Sequence, residues 1–200
     1  MTARNKLARL LLEKSYKEGD FVLASGKRSN YYFDCRVTSL SAEGADLIGQ
    51  IFCEMLRGEH IAGVAGMLMG AAPLVTATSI ASWNHYPRHR LNGLYVRKEP
   101  KDHGTGRQVE GLENFDHGYY ADYGYDRHIA VLEDVVTTGG SLLKACAALE
   151  KEGFKIVRCC AILDREEGGR EAIEAKGYPF TAIFTRASLK AAAQEYGTGR

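Results

Sequence analysis

The sequence predicts an α/β fold built on a mainly parallel, twisted sheet flanked by helices. Short apolar runs alternate along the chain with stretches of helical spacing, the pattern of right-handed βαβ units. The clearest run, 129–136, ends in a Thr/Gly turn and passes at once into a helix. The composition is that of an ordinary soluble domain: 200 residues, 45% hydrophobic and 26% charged, with 26 Lys+Arg against 25 Asp+Glu. One domain over 1–200 is expected. A chain of this length buries roughly 70% of its unfolded surface and needs no disulfide or metal staple.

In chain order, residues 2–16 read as a helix, because Arg4, Lys6 and Arg9 interrupt the apolar positions and exclude a signal-peptide core. Ser41 caps a second helix, in which Leu47, Ile48, Ile51, Phe52, Met55 and Leu56 recur at helical spacing. Residues 61–65 form a short buried strand and 72–83 a helix. The stretch 61–84 has no charge and is long enough to cross a membrane. Gly63, Gly66, Gly70 and Pro73 argue instead for a buried strand–loop–helix unit. Strand follows at 94–96 and at 129–136, with a tight turn at 137–140. Ser141 opens a helix carrying Leu142, Leu143, Cys146 and Leu149 on one stripe, and Gly153 ends it. The last strands are 155–163 and 180–184, with a closing helix. The polar stretches 97–111 and 113–127 show no regular pattern, and loops of that length are usually functional or disordered. The basic stretch 83–92 reads as a solvated loop.

Five cysteines, Cys35, Cys53, Cys146, Cys159 and Cys160, are odd in number and form no C-x-x-C pair. They read as buried small hydrophobes in a reducing compartment, so a cytoplasmic setting is expected. The six histidines make no H-E-x-x-H. Balanced charge argues against binding nucleic acid or a membrane surface by bulk electrostatics, and leaves room for a local anion patch.

Parallel sheets bind ligands at the carboxyl ends of their strands, which singles out 66–70, 133–141 and Asp164-Arg165. In the second segment Glu133 and Asp134 interrupt an apolar strand, Val135 and Val136 follow, and Thr137, Thr138, Gly139 and Gly140 turn into the helix at Ser141. The turn's N–H groups converge with the positive end of the helix dipole, an anion site suited to a terminal phosphate. The acids belong where the strand meets solvent, because burying them unpaired is costly. Two carboxylates beside a phosphate site fit a sugar phosphate with vicinal hydroxyls. The Walker A and G-x-G-x-x-G spacings are both absent.

This segment resembles the 5-phosphoribosyl 1-diphosphate (PRPP) signature of type I phosphoribosyltransferases. A second segment, Val96 through Arg97, Lys98, Glu99, Pro100, Lys101, Asp102, His103 and Gly104 to Gly106, resembles the catalytic loop of orotate phosphoribosyltransferases. Its cations suit a diphosphate leaving group, and its glycines suit a loop that closes and opens. A third, 21–34, resembles the hood segment of that family; its Tyr31-Tyr32-Phe33 run reads on its own as a hairpin or core edge.

The resemblance implies the type I fold, with a small hood from about 1–40 and the C-terminal segment. It implies transfer of the 5-phosphoribosyl group from PRPP to orotate, a pentosyltransferase reaction of pyrimidine (UMP) biosynthesis. It assigns Lys101, His103 and Asp134 to catalysis. PRPP falls to Arg97, Lys98, Lys101, His103, Glu133, Asp134, Val135, Val136, Thr137, Thr138, Gly139, Gly140 and Ser141. Orotate falls to Tyr32, Phe33, Thr137 and Arg165, and diphosphate to the loop at Met69, Gly70 and Ala71. Mg2+ is expected, held mainly through substrate, with no direct protein ligand assigned. A homodimer sharing the catalytic loop between subunits is also implied. Two departures stand out: Ala24 replaces a lysine of some members, and 66–72 is apolar without a Lys. Transfer to another base, a PRPP-sensing regulator without catalysis, and a generic sugar-phosphate binder are the alternatives.

Overall fold

The central sheet is six-stranded, in the order β5-β4-β3-β6-β7-β8, and a separate antiparallel hairpin pairs β1 with β2. The strands are β1 Tyr16–Val22, β2 Arg28–Phe33, β3 Gly63–Met67, β4 Asn92–Val96, β5 Val109–Glu110, β6 His128–Val136, β7 Lys155–Asp164 and β8 Phe180–Thr185. The helices are α1 Ala3–Lys14, α2 Cys35–Ser39, α3 Ala42–Leu56, α4 Ala72–His85, α5 Gly140–Lys151, α6 Gly169–Glu174 and α7 Arg186–Glu195. This computed structural model describes residues 1–22, 28–86, 89–99, 107–115 and 124–195.

Every pairing in the large sheet is parallel except the β4–β5 edge. The chain leaves β3 through α4 to β4 on one side, and leaves β6 through α5 to β7 on the other. β3 and β6 are neighbours, so the winding reverses between them and opens a crevice beyond their carboxyl ends.

Alternation along the strands divides the core in two. Ala130 and Leu132 of β6 face a cluster with Leu7 and Leu11 of α1, Ile48 and Phe52 of α3 and Leu74 of α4. Ile129 and Val131 face Leu142, Cys146 and Leu149 of α5. The same alternation splits the vicinal cysteines: Cys159 lies 3.8 Å, sulfur to sulfur, from Cys146, and Cys160 joins the other cluster. All five cysteines are buried and free.

Ser41 caps α3 as its sequence predicts, its Oγ accepting from Gly44 N at 3.2 Å. Other expectations shift. Tyr16, expected in the first helix, opens β1. Ser15 ends α1 there, its Oγ bonded to Thr38 Oγ1 at 2.7 Å and its carbonyl accepting from Asp34 N at 3.0 Å. The strand expected at 61–65 runs instead from Gly63 to Met67, in register with both β4 and β6. The patternless stretches contain β5 and a 3-10 turn at Leu112–Phe115, whose Val109 and Phe115 are buried. The charge-free stretch divides into β3 and α4, and among the described residues no helix is long and apolar enough to cross a membrane.

Candidate active site

The loop from β6 to α5 makes a small pocket of about 140 Å³. Its walls are Glu133, Val135 and the whole run from Val136 to Leu142, including Thr137, Thr138, Gly139, Gly140 and Ser141. Gly139 is the N-cap of α5, with φ 79° in the left-handed region, a backbone state an L side chain adopts only at a cost. Leu143 N to Gly139 O, at 3.0 Å, is the first bond of the helix. The first-turn amides before it have no intrahelical acceptor and carry the positive end of the dipole. The helix therefore starts at Gly140, one residue before the sequence predicts. An oxyanion is the natural occupant.

A larger cleft of about 870 Å³ adjoins this pocket and shares Glu133, Val135 and Ser141 with it. Three parts of the fold meet there. The hairpin and α2 bring Tyr32, Phe33, Asp34, Cys35 and Arg36. The loop after β3 brings Leu68, Met69 and Gly70. The end of β4 brings Arg97, Lys98 and Glu99. Gly70 is required by close approach: a Cβ there would lie 2.9 Å from both carboxylate oxygens of Asp134. Ala71 is fully buried as the N-cap of α4.

Glu133 departs from its expected place at the solvent edge. It is 5% exposed, and its Oε2 has no hydrogen-bond partner among the described residues. Its Oε1 accepts from Asp134 N at 3.1 Å, and Asp134 Oδ1 accepts from Val135 N at 2.8 Å. Burial, reinforced by the neighbouring Asp134 charge, pushes the Glu133 carboxyl from 4.5 up to about 8. The acid stays in the strand because it faces the pocket, where a ligand's hydroxyls can supply the missing partner.

Two guanidiniums in the region are already engaged. Arg97 donates from Nε to Glu110 Oε1 at 2.7 Å. Arg165 Nε lies 2.9 Å from Glu167 Oε1 without hydrogen-bonding alignment, and its guanidinium sits 5.0 Å over the Tyr31 ring. Arg165 is thus placed against the hairpin, while Tyr32 and Phe33 line the cleft and Thr137 lines the small pocket. Lys101 and His103 lie outside the described residues, as does Ala24. The sequence reading missed Asp34 and Arg36. An Asp-x-Arg next to the aromatic run was the available signal.

Fold and site together define an α/β protein that takes a phosphorylated, hydroxyl-bearing ligand at the switch point of its sheet. Residues 37–183 match the phosphoribosyl transferase domain family. The orotate phosphoribosyltransferase of Sorangium cellulosum is 44% identical over 185 residues, 92% of this chain and 91% of that one. The crystal structure of the Mycobacterium tuberculosis H37Rv orotate phosphoribosyltransferase with Fe(III) dicitrate has a TM-score of 0.78 at 32% identity, covering 94% of this chain and 99% of that one. The same enzyme with PRPP gives a TM-score of 0.74 at 28% identity, with coverage of 94% and 99%. The chain belongs to the phosphoribosyltransferase family and, within it, to the orotate phosphoribosyltransferases.

Proposed function

We propose that the protein transfers the 5-phosphoribosyl group from PRPP to N1 of orotate, giving orotidine 5′-phosphate and diphosphate, in pyrimidine biosynthesis. The observation that carries this reading is the phosphate pocket at the start of α5 opening, through Glu133, into a cleft walled by Asp134, Gly70 and Arg97. The 5′-phosphate occupies the pocket on the first-turn amides. Glu133 and Asp134 accept from the ribose hydroxyls. Tyr32 and Phe33 wall the base, and Thr137 and Arg165 complete the orotate contacts.

The C1–O bond to diphosphate breaks as the C1–N1 bond forms, the N1 proton of orotate is released to solvent, and charge builds on the departing diphosphate. No protein nucleophile is required: positioning and charge stabilisation do the work. Arg97, Lys98, Lys101 and His103 stabilise the diphosphate, with His103 as the proton donor. Loop 68–71 borders the diphosphate at Met69, Gly70 and Ala71. Mg2+ would be held mainly through substrate oxygens, the ribose hydroxyls that Glu133 and Asp134 orient among them, since it takes few protein ligands. When bound, Mg2+ neutralises part of the diphosphate charge.

The reading includes one domain over 1–200, hooded by about 1–40 and the C-terminal segment. It also includes a homodimer with the catalytic loop shared across the subunits. The five free cysteines support a cytoplasmic setting. The test is the ultraviolet absorbance of orotate on adding PRPP, Mg2+ and protein. A loss that requires both additions is expected. No loss, with PRPP binding retained in calorimetry, points to another acceptor base or a non-catalytic PRPP sensor.

A further inference from the structure

On the side of loop 68–71 the cleft has no side-chain cation, while Arg97 and Lys98 line it from the end of β4. Loop 68–71 carries no Lys or Arg. Around it the amides of Leu68, Ala71 and Ala72 already donate to Val96 O, Met67 O and Met69 O at 2.8, 3.1 and 3.3 Å, which leaves the Met69 and Gly70 amides as the loop's backbone donors. Across the cleft, Arg97 directs its Nε to Glu110 and keeps its other N–H groups, and Lys98 lines the cleft beside it. Glu99, Glu133 and Asp134 line the same cleft and oppose an anion. A departing diphosphate nevertheless needs cations where its charge grows.

Arg36 lines this cleft from α2, on the hairpin side. Asp34, the N-cap of α2, accepts from Arg36 Nε and Nη2 at 2.9 Å each, and from Arg36 N at 3.1 Å. The fork is therefore oriented by a helix cap. A guanidinium has five N–H donors, of which this pairing uses two. The rest can serve an oxyanion in the planar geometry that suits phosphate. The Arg36 guanidinium also feels the Asp134 charge, which places it within electrostatic reach of the carboxylate beside Gly70.

We propose that Arg36 binds the diphosphate of the donor substrate, entering from the hairpin side as the cation that loop 68–71 does not supply. The inference rests on the phosphoribosyl-transfer reading and adds a residue to it. Asp34 acts as a positioning residue, holding the fork toward the cleft.

Calorimetric titration of Arg36→Ala, Arg36→Gln and Arg36→Lys with inorganic diphosphate plus Mg2+ tests it, with ribose 5-phosphate as the control ligand for the α5 pocket. Loss of a charged hydrogen-bonding group lowers diphosphate and PRPP affinity by about 10- to 100-fold. Ribose 5-phosphate affinity and the KM for orotate stay unchanged. The lysine variant retains more diphosphate affinity than the glutamine variant, because it keeps the charge and loses the fork. Unchanged diphosphate affinity, equal affinity in the Lys and Gln variants, or weakening confined to orotate overturns the proposal. If Arg36→Ala fails to fold, the Lys–Gln comparison decides. A wild-type protein that binds neither diphosphate nor PRPP and forms no orotidine 5′-phosphate removes the parent reading. An active wild type with unaffected Arg36 variants removes only the role of Arg36.

Discussion

Glu133 carries a carboxyl 5% exposed at the seam between the phosphate pocket and the cleft, with a pKa pushed from 4.5 to about 8 by burial and by Asp134. A folded-state pKa above the unfolded value means that the native protein holds a proton the unfolded chain has released. This group's contribution to stability is therefore full below about 4.5 and is lost as pH rises through about 8. Glu133→Gln keeps the shape and removes the titration. Its unliganded form is expected to be more stable than the wild type at pH 8, on the order of a few kcal/mol at most, with little difference at pH 4.5. Urea denaturation across that pH range measures it, and parallel curves for the two proteins would refute the assignment. The substitution also weakens PRPP binding most above about pH 8, where the wild-type carboxyl is ionised and accepts from ribose hydroxyls more strongly than an amide. The sequence displays the two acids and the phosphate turn plainly, but not which acid is buried. Glu133 falls on the face of β6 that lines the α5 pocket and Asp134 does not, a difference that only the folded strand establishes.

The loop between β6 and α5 separates folding from binding at two adjacent glycines. Gly139 has φ 79°, and a Cβ there would meet Gly169 O at 3.1 Å and Ile173 Cγ1 at 3.2 Å. Gly139→Ala should cost about 1–2 kcal/mol in stability from the left-handed backbone alone and should also weaken phosphate binding. Gly140 has ordinary backbone freedom, and the nearest atom to a Cβ there is Thr138 Oγ1 at 3.9 Å. Gly140→Ala is expected to fold normally yet bind ribose 5-phosphate less well, since Gly140 lines the pocket. Chemical denaturation and ribose 5-phosphate titration of both variants test the pair; equal stability losses would contradict it. Elements of this length were legible because periodicity had room to show: β6, α5, α3 and β7 follow the apolar pattern closely. The five-residue α2, the six-residue α6 and the two-residue β5 offer too few positions for a period to emerge. That is why Asp34 and Arg36, at the start of α2, escaped the sequence reading. The charge-free stretch was the opposite case, where Gly and Pro outweighed hydropathy and correctly marked a strand and a helix.

At the scale of the whole molecule, the site exists because the sheet changes winding direction between β3 and β6, bringing two loops far apart in sequence onto one crevice. The hairpin sheet and α2 close it from a third side. Acids and phosphate loop come from β6, while the cationic segment begins at the end of β4, where Arg97 and Lys98 reach the cleft. This division makes the proposed sharing between subunits testable by mixing. In a homodimer whose 97–106 loop serves the neighbouring site, Lys101→Ala damages the partner's site and Asp134→Asn damages its own. Each variant alone should turn over slowly while remaining folded. In a hybrid dimer both lesions fall in one site, and the other site is intact. Random reassortment of equal amounts should therefore restore roughly a quarter of the wild-type turnover, following from two-fold symmetry with half the dimers hybrid. Lysine and aspartate working within a single subunit would give no such recovery. The mixture would then show only the mean of two impaired enzymes at every ratio. Turnover against mixing ratio, with subunit exchange verified by mass, distinguishes the two arrangements.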